Sequence, residues 1–123
     1  MCSIPVSLGE LYDKYTILEI KSERVSDKTK LVEVHRELAY LKPYIERFDL
    51  CDTIIQNLRC VNIELWEIED AIRQKECKKE FDAEFIELAR SVYIKNDERA
   101  KIKYEINQIL DSEIKEIKNY QPY

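Results

Sequence analysis

Apolar residues recur along this chain at alternating steps of three and four, and that periodicity limits the folds open to it more than any other feature. Leu31, Val34, Leu38, Leu41, Ile45 and Phe48 form one such seam, and Ile54, Leu58, Val61, Leu65, Ile68 and Ile72 form a second. Phe85, Leu88 and Val92 begin a third, which resumes at Ile102, Ile106 and Ile109. Steps averaging close to 3.5 keep every member on one side of a helix, and paired seams of this kind are how helices pack in bundles. The turn chemistry of β-hairpins is nearly missing, because the chain has a single Gly and three Pro. The expected fold is therefore all-α: an antiparallel bundle of four to five helices with a long C-terminal helix, forming one domain over residues 1–123.

Local signals place the helix ends. Ser7-Leu8-Gly9-Glu10 reads as a capping box, in which Ser7 accepts from the Glu10 amide and the Glu10 carboxylate answers the Ser7 amide. The helix that follows carries Leu8, Leu11, Tyr12, Tyr15 and Leu18 on one face, widened by Ile17 and Ile20, so two neighbours are expected against it. Ser26-Asp27 breaks the chain and caps a second helix. Pro43 then predicts either one kinked helix or two nearly collinear ones, since proline removes a backbone bond and crowds the preceding turn. Asp49 and Asp52 are the N-cap candidates for the third helix and Asp82 for the fourth. Asn96-Asp97 can cap a fresh helix or sit inside a continuous one. If continuous to residue 118, the fourth helix overhangs the third. Its face Ile106, Ile109, Leu110, Ile114 and Ile117 then needs cover from the first helix or a second subunit, and a homodimer is expected.

Several function classes are excluded or disfavoured at this level. A lone glycine cannot build a Walker A loop, a dinucleotide fingerprint or a nucleophile elbow, each of which needs several. A lone histidine, His35, cannot form a two-histidine zinc helix and is expected at the edge of the core. The net charge of -5, with cations interspersed among acids, disfavours nucleic acid. No run of about 18 apolar residues is present to cross a membrane, and the N-terminus has no signal-peptide pattern, so a cytoplasmic location is expected. Cys2, Cys51, Cys60 and Cys77 form no C-x-x-C pair and are expected to be reduced, packed thiols. No metal and no cofactor is expected.

Two constellations remain. Glu64, Glu67 and Asp70, with Glu84 and Glu87, have the helical spacing of the carboxylates that hold magnesium in all-α nucleotide pyrophosphohydrolases. Folding the chain back near residue 79 sets Glu84 and Glu87 against residues 72–74, which favours solvated charge pairs. Lys14 and Thr16 in the first helix, and Arg90, Lys95, Asn96 and Arg99 in the fourth, lie on or beside apolar seams. Charges enter a core only when paired, so they either fix register with Asp13, Glu10 or Asp97, or line a pocket for a small anionic ligand. The ligand-binding candidates are Lys14, Arg90, Lys95, Asn96 and Arg99.

Three runs carry a resemblance. They are Ile4-Pro5-Val6-Ser7-Leu8-Gly9-Glu10-Leu11 leading into Asp13-Lys14 and Thr16 to Arg24; Leu65-Trp66 with Ile68-Glu69-Asp70 and Ile72-Arg73; and Phe85-Ile86 with Leu88 to Tyr93 and Asn96-Asp97. Over nearly its full length the chain resembles a family of small uncharacterised proteins from bacteria and from phages of marine cyanobacteria. For a phage-encoded chain this implies the host cytoplasm, and it implies no assigned activity. The opening helix alone resembles that of the all-α chorismate mutases. That resemblance implies an anion grip that Lys14, Lys21, Arg24, Arg90 and Arg99 would have to supply here. The expected function is a helical binding or assembly module without catalytic activity; the alternative is a small all-α enzyme or binding protein for an anionic metabolite.

Overall fold

A computed structural model describes residues 1–123 and contains four helices and no strands. They are α1 (Leu8–Arg24), α2 (Lys28–Ile45), α3 (Asp52–Lys78) and α4 (Ala83–Ile109). No helix is long and apolar enough to cross a membrane.

The ends follow local chemistry closely in three of four cases. Ser7 accepts from the Glu10 amide, Asp27 from the Thr29 and Lys30 amides, and Asp82 from the Phe85 amide, each satisfying donors that the helix leaves free. At α3 neither Asp49 nor Asp52 is the cap. Cys51 stands at the N-cap position without a side-chain bond, and Asp52 is already the first helical residue. Pro43 lies in the last turn of α2, so the chain keeps one helix there and ends it two residues later. Ile45 and Phe48 still reach the core, the latter from the turn beyond the helix.

Asn96 and Asp97 sit inside a continuous α4. That helix stops at Ile109, and Asp111 takes a left-handed conformation with φ 52°, so the extension to residue 118 does not form. α3 and α4 are each 27 residues long, and neither overhangs the other. The chain doubles back between them, as ion pairs joining Lys75 to Glu84 near the turn and Glu64 to Lys95 farther along show.

α1 is the hub, packing against α2, α3 and α4 where the sequence predicted two neighbours. Its buried residues Gly9, Leu11, Tyr12, Asp13, Thr16, Leu18 and Ile20 run around the helix, so a single stripe could not have described it. Tyr12 joins Leu50, Ile54, Leu58 and Ile106 in the core. The cover that Ile106 required therefore comes from α1. Of the 18 buried residues, seven are polar or charged, so polar pairing and apolar packing both hold this interior together.

The only glycine explains how α1 and α4 approach so closely. A Cβ added at Gly9 would lie 2.9 Å from the Lys103 carbonyl carbon and 3.0 Å from Asn107 Oδ1, with the Lys103 oxygen nearer still. These are backbone and bonded atoms that cannot swing aside. Gly9→Ala is expected to destabilise the fold by about 3 kcal/mol or more, at the upper end for overpacking. A urea midpoint unchanged from the parent would show that the two helices can separate freely.

Candidate functional site

The polar interior is built around Asp13, whose side chain is 1% exposed. A carboxylate this deep costs several kcal/mol unless its charge and lone pairs are met. Arg99 meets it with two bonds from α4, Nε to Oδ1 at 2.9 Å and one terminal nitrogen to Oδ2. Asn62 of α3 donates to Asp13 Oδ1 at 3.0 Å and to Thr16 Oγ1 at 3.0 Å, while Thr16 donates to the Asp13 carbonyl. Three helices thus converge on one side chain. The Arg99 pKa is raised above the ordinary guanidinium value, chiefly by its bonds to Asp13, with burial opposing.

One turn on, Lys103 is 11% exposed and bonds Glu10 Oε2 at 2.7 Å, with Glu116 of the C-terminal segment at 3.5 Å. Glu10 therefore spends its carboxylate on Lys103 and leaves the capping box half made. At the N-terminus of α1 the Gly9 amide donates to Asn107 Oδ1 at 2.6 Å and the Leu8 amide to Ser112 Oγ at 3.1 Å. The free amides that make a helix N-terminus an anion site are consumed internally. No buried side-chain nitrogen or oxygen lacks a partner.

Beside this cluster, and sharing Arg99 and Lys103 with it, α4 and the C-terminal residues Lys118, Tyr120, Gln121 and Tyr123 border an open cavity of about 670 Å³. Its α4 wall includes Tyr93, Asn96, Asp97, Arg99 and Lys103. Tyr93 and Tyr123 meet edge to face at 5.0 Å between ring centres. The Tyr123 phenol is pushed up, chiefly by the neighbouring Asp97 carboxylate.

The five ligand candidates divide. Asn96 and Arg99 share the cavity wall, with Arg99 donating to Asn96 Oδ1 at 3.3 Å. Lys95 pairs with Glu64 across the hairpin at 2.6 Å and with Glu98, which together raise its pKa. Lys95 is absent from the cavity wall, Arg90 is exposed beside Glu87 and Lys14 is exposed on α1, so none of these three joins Asn96 and Arg99. Arg24, needed for a mutase-like grip, pairs with Glu67 of α3, and Lys21 lines a separate groove between α1 and α2. The acidic residues are likewise divided: Glu64 goes to Lys95, Glu67 to Arg24, Glu84 to Lys75 and Glu87 to Arg90. No group of His, Cys, Asp and Glu gathers with the geometry of a metal site.

Other expectations need correction. All four cysteines are unpaired, as read, yet each is exposed where packing was expected, because they fall on outer helix faces and loop positions. His35 is exposed on α2, away from the core edge, since only Val34 of that helix is buried. Asn62, Lys103, Asn107 and Ser112 were missed as members of the polar cluster. Asn62 and Asn107 each directly follow a buried seam residue, Val61 and Ile106, and that adjacency was the available signal. Ser112 and the C-terminal wall of the cavity left no periodic trace.

Residues 2–123 match the family of unknown function DUF6165, and the chain belongs to that family. No curated protein and no solved structure matches it.

Removing Arg99 leaves the Asp13 charge buried without its main partner. Arg99→Ala is expected to cost roughly 3 to 5 kcal/mol, the range for breaking a buried pair from one side. Adding Asp13→Asn to that variant should return part of the loss, because the stranded charge goes with it. Chemical denaturation of both single variants and the double variant measures this, and simple additivity would mean the pair is not coupled.

Proposed function

For a member of a family without an assigned activity, we propose a non-catalytic helical module that works by assembly. A single antiparallel bundle domain joins a second copy of itself through the outer half of the α3–α4 hairpin. The supporting observation is surface area. A compact 14.8 kDa monomer exposes about 7,000 Å², whereas this chain exposes 8796 Å². The excess of about 1,800 Å² is more than the roughly 800 Å² that each partner buries in a standard interface.

The exposed residues 1–6 and 113–123 account for part of this excess, and the hairpin seam for another part. Between Asn62 and Lys103 no residue is buried, although the seams continue through Leu65, Ile68 and Ile72 on α3 and Phe85 and Leu88 on α4. Two helices cover only half of such a seam. Two hairpins related by a two-fold axis cover all of it, in the four-helix packing to which a 3.5-residue period is suited. The turn adds Phe81 and Ile86, both more than half exposed.

Charge sets how this dimer should respond to salt. Residues 63–92 hold nine Asp and Glu against five Lys and Arg, so two copies repel at long range. Salt screens that repulsion while leaving apolar contact intact. Size exclusion with light scattering at tens of micromolar is expected to give a dimer that tightens between low and high salt. Ile68→Glu with Leu88→Glu should yield a monomer of unchanged helicity. A clean parent monomer under all salt conditions overturns the reading, and an oligomer weakened by salt would point to a charge-driven contact elsewhere.

A further inference from the structure

The cavity on α4 carries chemistry that neither the buried cluster nor the hairpin seam uses. Its size falls within the range of small-molecule sites, at about 670 Å³. Three tyrosines stand around it without being consumed by the core: Tyr93, Tyr120 and Tyr123 are 43%, 72% and 78% exposed. Exposed rings gathered at one opening offer flat apolar surface with polar edges, which suits a planar ligand.

The donors are equally specific. Arg99 has five N–H groups and spends three of them on Asp13 and Asn96, so two are left at the cavity wall. Lys118 meets no carboxylate within ion-pair distance, and its ammonium sits 5.8 Å from the centre of the Tyr120 ring. The Asp97 carboxylate also stands on the wall, close enough to Tyr123 to raise the pKa of its phenol. Lys103, held from behind by Glu10 at 2.7 Å and Asp13 at 3.8 Å, is reached from the C-terminal segment by Glu116 at 3.5 Å. Glu116 is not on the cavity wall but in a small niche beside it, from which it takes part of the Lys103 charge that an anion in the cavity would otherwise meet.

The geometry points to a binding site for an aromatic anion, a flat ring bearing a carboxylate or a phosphate. The ring lies against the tyrosines, the anion takes the free donors of Arg99 and Lys118, and it competes with Glu116 for Lys103. Asp13 does not contact the ligand; it positions Arg99. The C-terminal segment closes over the bound molecule, and its Glu116 sets the affinity by competition.

Calorimetric titration tests this on the full chain with 1-naphthoate and uridine monophosphate, which separate the carboxylate from the phosphate source. Uridine supplies a ring without charge and inorganic phosphate a charge without a ring. At least one of the two aromatic anions is expected to bind, several-fold more tightly in Glu116→Gln and at least about tenfold more weakly in Lys118→Ala and in Tyr120→Ala. All three substitutions fall on exposed side chains of the C-terminal segment, and unchanged thermal unfolding of the variants checks that folding is not the cause. Absence of heat with both aromatic anions at millimolar concentration, in parent and Glu116→Gln alike, overturns the site. So does binding that Lys118→Ala leaves unchanged, or inorganic phosphate binding as tightly as the aromatic anions. None of these outcomes depends on the oligomeric state.

Discussion

A carboxylate buried to 1% exposure at Asp13 is the constraint around which the interior is arranged. Leaving it unpaired would offset a large part of the stability of a domain this size. Arg99 supplies the charge from α4 and Asn62 supplies a neutral donor from α3. Because those bonds are directional, they determine where α1 stands along both partners, which apolar contact among Tyr12, Leu58 and Ile106 could not do alone. Buried ionic groups contribute little net stability beside a well-packed apolar alternative, but they penalise every register that strands the charge.

Close approach depends on the same arrangement. The backbone of α1 comes near enough to Lys103 and Asn107 that only a residue without Cβ fits at position 9. That proximity lets Asn107 and Ser112 take the first amides of α1, and it lets Glu10 reach Lys103. One end of the molecule is thus polar, satisfied and tightly held, where the N-terminus of α1 meets the C-terminus of α4.

The opposite end has a different character. Between Asn62 and Lys103 the hairpin holds together by half-covered apolar contact and surface ion pairs, with no buried residue. Surface pairs such as Lys75 with Glu80, Asp82 and Glu84 add little in water, though three acids around one ammonium do hold the turn in place. Segments with few buried contacts open first, so this half has the lower local stability. A second copy would remove that asymmetry by covering the seam, and the aromatic cavity on α4 lies toward the held end, where Arg99 is fixed from behind.

Sequence alone sufficed for the helical class, the three caps at Ser7, Asp27 and Asp82, and the seams that pair α3 with α4. These are local matters: a capping oxygen meets an amide three residues away, and a period near 3.5 lays side chains on one face. It also indicated that Arg99 needed a partner and named Asp13 and Glu10 among the choices. Which acid went to which cation was decided only in three dimensions, where Asp13 took Arg99 and Glu10 left its own capping box for Lys103. The end of α4 at Ile109 and the folding of the last residues over Tyr93 and Asn96 were decided there too. Their partners lie 13 to 104 positions away in the chain, at Leu8 and along α4, and distances of that kind leave no period to read. The meaning of Gly9 was likewise tertiary. A glycine inside a helix is locally unfavourable, and its reason is a carbonyl on another helix.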